Sequence, residues 1–508
     1  MSSPARRAAR LAVGVVALAA GLSSCKAATS GPLATSLQER GMAVGRPLVD
    51  PPDADTASSS HLTVTLDAAA TRFDIGGRTV AGEAYNGNFV APTLHLVPGQ
   101  DVTITLVNHL AVATNLHFHG LHVSPADDSD DPFLCVAPGQ TLDYHLVLPA
   151  DHPQGTFWYH SHAMGTTCPP PAMAGMNMSA GPADTENQIF AGLSGALLVG
   201  DDRSLLPASL QHVTAHTLVL KDVQIDHAGR IVQNTATTSI NSNNPTVRLV
   251  NGQLRPVLTL RPGETQLWRL VNAGADIFYQ LHLDGSAFTV IAQDGRPAAR
   301  ITTADRLLLP PGKRYDVLVT APTSPTWLRT LAYSNGPQGD TYPDVALMHV
   351  ITAGAAQMPL SPPTGALVTA SADLAGAAIA QHRTVTLSEN SAGTTFFINN
   401  AGFSMNASVF ATPAELGTIE EWTILNTSGE DHPFHLHTDA FQVMSINGVA
   451  HADTGRQDIV PVPHAVNGKP GRVVIRIPFS DYAGRWMFHC HIAAHEDNGM
   501  MSYINVIA

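Results

Sequence analysis

Three ten-residue phrases recur along this chain: GQDVTITLVN from Gly99, GETQLWRLVN from Gly263 and GTIEEWTILN from Gly417. Each closes on an Asn nine residues after its Gly, and the offsets between them are 164 and 154 residues. Offsets of that size are domain-sized, so the chain reads as three copies of one unit. A length of 508 residues accommodates them, at about 150 residues per domain. The texture of each copy is β. Stretches such as His61-Leu-Thr-Val-Thr-Leu, Asp101-Val-Thr-Ile-Thr-Leu-Val and Arg472-Val-Val-Ile-Arg-Ile alternate or run in β-branched residues between Pro-Gly and Asn-Gly turns. Many short strands at such spacing predict an all-β chain of sandwiches or barrels.

A second phrase follows each repeat: Leu116-His-Phe-His-Gly, Leu281-His-Leu-Asp-Gly and Phe434-His-Leu-His-Thr. A third closes each copy. Five and seven residues after a Gly stand His160 and His162 in copy one, Val317 and Val319 in copy two, and His489 and His491 in copy three. The middle copy is thus expected to keep the fold without the histidines, so the scaffold does not require them. In a strand, residues i and i+2 face the same side about 6 to 7 Å apart, so each His-x-His presents two imidazoles together. Four pairs, His117/His119, His160/His162, His435/His437 and His489/His491, give eight imidazoles divided between copies one and three. Their meeting place is the interface of those copies. Eight nitrogen ligands exceed the needs of one ion and suit two or three coppers.

Between the last pair stands Cys490. Strand alternation turns its sulfur to the face opposite His489 and His491, towards a different site. A thiolate with two imidazoles and a long thioether contact is the blue-copper set. His432, His495 and Met500 are at hand to complete it. The cysteine then joins an electron-transfer copper to the histidine cluster through its own peptide neighbours.

On these motifs, His-Phe-His-Gly, Trp-Tyr-His-Ser-His, His-Pro-Phe-His-Leu-His and His-Cys-His-x3-His-x4-Met in that order, residues 60 to 508 resemble the multicopper oxidases of the laccase-like type. The resemblance implies three consecutive cupredoxin-like Greek-key domains, over 61–203, 204–355 and 356–508, with no copper ligands in the second. It implies four copper ions: type 1 at His432, Cys490, His495 and axial Met500; type 2 at His117 and His435; a type 3 pair at His119, His160 and His491 and at His162, His437 and His489. It implies one-electron oxidation of a donor at the type 1 site and four-electron reduction of dioxygen to water at the other three. Glu496, Asp127 and Asp128 are the candidate proton donors.

The chain departs from that pattern after His162. An insert within 164–187 carries Met164, Met173, Met176 and Met178, thioethers suited to Cu(I), so copper detoxification is one implied role and surface packing the plain alternative. Cys135 and Cys168 are expected to pair in an exported protein, although Cys168 beside the methionines also qualifies as a soft ligand. Residues 1–25 read as an export signal of the lipoprotein kind, with Arg6, Arg7 and Arg10 before an apolar run ending at Leu22-Ser-Ser-Cys25, and Cys25 the lipidated residue. Residues 26 to 60 read as a flexible tether. The expected location is the cell envelope, anchored by lipid to the outer face of the cytoplasmic membrane, with no other membrane contact.

Charge is sparse at 13% and the net is −14, which sets nucleic acid aside. Expected partners are dioxygen and a small donor, among them phenols, aromatic amines and metal ions such as Cu(I). A cluster complete within one chain makes a monomer sufficient. Two rival readings are an electron-transfer or copper-storage protein, and a structural cupredoxin relative of envelope assembly; the first needs Cys490 but not eight histidines, and the second needs neither.

Overall fold

A computed structural model describes residues 42–54, 60–168, 183–365, 367, 371–451 and 455–508. Cys25, Met173, Met176 and Met178 lie outside the described residues, as do the export signal and most of the tether.

The chain is all-β, and the three repeat phrases are equivalent strands. Asp101–Asn108, Thr265–Asn272 and Thr418–Asn426 each pair in parallel with the strand that opens their copy, His61–Ile75, Ala215–Val223 and Gln381–Glu389 respectively. Each pairs on its other side, antiparallel, with Thr141–Val147, Arg314–Thr320 or Gly471–Phe479. The first and third strands alternate buried and half-exposed residues, as a sheet with one wet face requires. The middle one is buried on both faces, because Leu206, Leu210 and Val213 cover Leu267 from outside.

The closing Asn of each phrase does one job three times. Asn108, Asn272 and Asn426 are fully buried, and each Nδ2 donates to two carbonyls: Val112 and Val136, Ile277 and Leu309, Glu430 and Val462. Each Oδ1 accepts the backbone N–H two residues on, from Leu110, Gly274 and Ser428. The side chain ties the strand end to the loop beyond it. The opening glycines, at φ 77°, 79° and 75°, hold the left-handed turn that other residues resist. Asn272→Ala, at a position that is itself no candidate ligand, is expected to cost about 1 to 3 kcal/mol of stability by orphaning two buried carbonyls, read as a lower denaturant midpoint at unchanged slope.

A second sheet in each copy bears the chemistry. Gly155–His160 lies between Ser194–Val199 and His117–His119, Gly484–Cys490 between Met501–Ile507 and His432–Leu436. The register places His117 opposite His160 and His435 opposite His489. The equivalent strand in copy two is Thr326–Leu331, with His282 opposite Arg329. Here the expected correspondence is corrected. Val317 and Val319 lie on Arg314–Thr320, in the other sheet, paired with Trp268 and Gln266. The Gly counted in copy two, Gly312, opens the strand beside the repeat, whereas Gly155 and Gly484 open the second-sheet strand. The position of His160 is taken by Arg329, which pairs with Asp344 at 2.5 Å, and His282 is held by Asp284 and Asp305.

Candidate metal centre

Cys490 ends the strand Gly484–Cys490, and the short helix Ala493–Asp497 turns the chain so that His495 comes back to face it. His432 begins the neighbouring strand, where Phe434 is the partner of Cys490. Cys490 Sγ lies 3.6 Å from His432 Nδ1 and 3.6 Å from His495 Nδ1, and those two nitrogens are 3.2 Å apart. Two ring nitrogens and a sulfur aimed at one point fit a soft thiophilic ion. The outer nitrogens are spoken for: Ser428 Oγ is 2.7 Å from His432 Nε2, and Glu430 Oε1 is 3.2 Å from His495 Nε2. Phe396 stacks on His495 at 4.0 Å. Met500, fully buried, accepts the Cys490 N–H at its carbonyl, 3.0 Å away.

The eight imidazoles of the four His-x-His pairs meet on the other side of that strand. His117 stacks on His437 and His119 on His435, both at 3.8 Å between ring centres, so the pairs from copies one and three lie across each other in opposite directions. His437 Nε2 comes within 3.2 Å of His489 Nε2, and His119 Nδ1 within 3.2 Å of His491 Nε2. Triads with all ligand atoms mutually close are His117, His119 and His160; His117, His435 and His437; and His162, His437 and His489. Cys490 faces away from its two neighbours, as alternation requires.

Which nitrogens are held and which are left decides what fits. Asp130 Oδ1 is 3.0 Å from His117 Nδ1, the Ser161 carbonyl 2.8 Å from His160 Nδ1, and the Asp458 carbonyl 2.8 Å from His435 Nδ1. The Nε2 atoms of these same three rings are buried with no hydrogen-bond partner. An outer acceptor that fixes the tautomer and leaves the inner nitrogen bare is the arrangement of metal-ligating histidine. Copper fits this donor set. Asp458 also lies 3.1 Å from His119 Nε2 and receives a two-pronged bond from Arg314 at 2.8 and 2.7 Å. Glu496 reaches His162 Nε2 at 3.2 Å and His489 Nδ1 at 3.0 Å. Burial raises its carboxyl and the flanking rings lower it by more, to about 2.

Burial, and then the neighbouring rings, hold His117, His119, His160, His435, His437, His491 and His495 well below the usual imidazole range, and burial takes His432 down to about 3. The rings are neutral, the form that binds metal. A consequence follows for the metal-free protein. Above pH 6.5, the unperturbed value, folded and unfolded chains bind the same number of protons at these sites. Below it only the unfolded chain takes them up, so stability falls by about 1.4 kcal/mol per pH unit per histidine. Metal-free protein is expected to unfold on mild acidification, and copper-loaded protein at distinctly lower pH, by fluorescence or circular dichroism.

The loop after the first pair is where expectation and structure part. Asp127 and Asp128 are exposed, Asp127 in a turn at φ 59° and Asp128 bonded to His145 at 2.8 Å, and neither contacts the cluster. The buried carboxylate of that loop is Asp130, in a run of acids where nothing in the sequence distinguishes one from the next. The sequence gives Asp458 no mark either, since 339 residues separate it from His119. Cys135 and Cys168 form a disulfide, so Cys168 is no copper ligand. Met164 lines a small space beside it, with Met405 and Phe133. His464 Nδ1 lies 2.7 Å from Asp431, the residue before His432, and His451 lines a cavity of about 440 Å³ with Tyr315 and Val460.

Three family profiles, each described as multicopper oxidase, match residues 68–178, 209–352 and 377–507, together more than half of the chain. A multicopper oxidase of Staphylococcus aureus is 27% identical over 83% of both chains. A laccase of Bacillus subtilis is 27% identical over 83% of this chain and 89% of its own. Among solved structures, a Campylobacter jejuni multicopper oxidase described as a metallo-oxidase superposes with a TM-score of 0.74 at 23% identity, covering 92% of this chain and 96% of that one.

Proposed function

Because this chain belongs to the multicopper oxidase family, and is a copper-dependent oxidoreductase with dioxygen as acceptor, we propose a division of labour among its own residues. Four coppers would be held, one by His432, Cys490, His495 and Met500, and three by the eight imidazoles: His117 and His435 for one, His119, His160 and His491 for the second, His162, His437 and His489 for the third. Copper supplies one-electron oxidation of the donor at the first site and four-electron reduction of dioxygen to water at the other three. The domain limits follow as 61–203, 204–355 and 356–508. The observation that carries this is the placement of Cys490 between His489 and His491, with its sulfur 3.6 Å from two rings of one site while its peptide neighbours serve the other.

The protein residues prepare each site. Asp130, the Ser161 carbonyl and Asp458 orient rings; Glu496, buried against His162 and His489, is the group placed to move protons. Electrons arrive at His495, whose Nε2 edge meets Glu430, with Asp431 and Glu389 close by. Burial, with those acids, raises the Glu430 carboxyl to about 8. At neutral pH that carboxyl is held as the acid; an arriving cation would favour its ionised form and a neutral phenol would not, so the surround supports a cationic donor such as Cu(I), which would place the protein in copper tolerance. No described helix is long and apolar enough to cross a membrane. Export and attachment by a lipid on Cys25 are proposed on the sequence of residues 1–25, and a monomer on the completeness of the cluster within one chain.

Initial rates of dioxygen uptake by copper-loaded protein, with Cu(I) and a methoxyphenol compared as donors at equal concentration, test the donor. Faster uptake with Cu(I) supports the metallo-oxidase reading. Faster uptake with the phenol makes the protein a laccase and removes the case for copper tolerance.

A further inference from the structure

The cavity that His451 lines, of about 440 Å³, lies on the seam between copies two and three, and nothing in the copper chemistry uses it. A space of that size, largely apolar with a few polar groups, is the usual form of a small-molecule site. Most of its wall comes from copy two, between Val290 and Tyr315, and the rest from copy three, between Ile446 and Pro461.

Local structure explains how these side chains converge. Along a regular strand Val290 and Gln293 would point to opposite faces. In Phe288–Gln293 a bulge at Ile291 puts Val290 opposite Val317 and Ala292 opposite Asp316, and so lets both Val290 and Gln293 line the cavity. Alternation does the rest in copy two. Arg300, Thr302 and Ala304 share one face of Arg296–Ala304, and Lys313 and Tyr315 stand two apart at the start of Arg314–Thr320. From copy three, Ile446 ends the strand Phe441–Ile446, and Val460 and Pro461 come from Ile459–Val462. That last strand pairs with His432–Leu436, yet no candidate copper ligand lines the cavity, and neither does Ser428, Glu430 or Asp431.

The charge of the wall is one-sided. In a chain of net charge −14 it carries Arg300, Lys313 and His451 and no acid. Lys313, 2% exposed, is already committed: its Nζ donates to Asp294 at 2.8 Å and, across the seam, to Gln457 Oε1 at 2.7 Å and the Ile459 carbonyl at 3.2 Å. Arg300 is exposed and, among the described residues, has no ion-pair or hydrogen-bond partner. It is a cation left for an anion to meet, beside an apolar wall of Val290, Leu307, Ile446 and Val460 and the ring of Tyr315.

We propose that this seam cavity binds a small aromatic carboxylate, its ring among the apolar side chains and Tyr315 and its carboxylate on Arg300. Binding is non-covalent and uses neither copper nor electron transfer, so it goes beyond the oxidase reading and stands or falls without it. Because both copies supply the wall, an occupant also ties them together, as anything that binds only the folded chain stabilises it.

Calorimetric titration of the full, copper-loaded chain with β-naphthoate tests this, with β-naphthamide as the neutral counterpart and acetate as an anion without a ring. Wild type is expected to bind naphthoate with a dissociation constant below about 1 mM, the amide at least about fivefold more weakly, and acetate not measurably. Arg300→Gln is expected to weaken naphthoate about fivefold and to leave the amide as it was. Ala304→Trp, which fills the space from copy two, is expected to abolish the binding of both. No binding of naphthoate to wild type overturns the proposal. So does naphthoate bound no better than the amide, or bound by both folded variants as well as by wild type. If Ala304→Trp does not fold, Arg300→Gln, at an exposed side chain, decides.

Discussion

Replacing Cys490 by serine is expected to abolish the blue thiolate-to-copper absorption and cut dioxygen uptake by more than about 100-fold, the range that even an outer partner of a metal ligand commands. The loss has two sources. A hydroxyl is a poor ligand for a soft ion between His432 and His495, so that site loses its metal or its colour. It also removes the thiolate end of a one-residue link between the two sites, since His489 and His491 flank the sulfur in sequence. The fold should survive: the substitution is nearly isosteric, the site is fully buried beside Phe434 in the strand pairing, and the backbone N–H keeps its bond to Met500. Uptake within tenfold of wild type by folded, copper-loaded Cys490→Ser would remove the cysteine from the electron path.

Asp458→Ala carries the largest expected cost in stability, about 3 to 5 kcal/mol, because it strips a buried cation of its partner. Arg314 has no exposed surface and gives both terminal nitrogens to Asp458; Lys313 beside it is paired with Asp294 at 2.8 Å. The network joins copy two to copy three directly behind His119 and His435. Removing the carboxylate leaves the buried guanidinium without its two-pronged partner and with Asp294, at 3.6 Å, as a weaker one shared with Lys313, and it also frees the ring of His119. Denaturant unfolding of metal-free protein measures the first effect. The double variant Asp458→Ala with Arg314→Met removes both charges and should recover much of the loss. If Asp458→Ala alone costs under about 1 kcal/mol, the pair is not the buried tie described here.

How much of this the sequence displays depends on whether a feature is local. The repeat phrases, the four His-x-His pairs and the isolated Cys490 are legible because a strand's period of two is written in adjacent residues, and three copies let one be compared with another. The same comparison misplaced Val317 and Val319, since a Gly offset counts residues while equivalence is set by which strand pairs with which; only the register of His282 with Arg329 reveals it. Asp130 and Asp458 were not legible for a different reason. Each takes its role from burial and from a partner in another loop or copy, and an acid's neighbours in sequence say little about either.

Reductive titration of copper-loaded protein under anaerobic conditions is the most direct test of two sites joined by one cysteine. Wild type is expected to accept four electron equivalents per chain, with bleaching of the blue absorption in step, and Cys490→Ser about three when reduced by a small mediator. On admission of air, fully reduced wild type should reoxidise without releasing peroxide. Uptake of a single equivalent by wild type, with no reaction on admitting air, would contradict the account and leave an electron-transfer protein in its place.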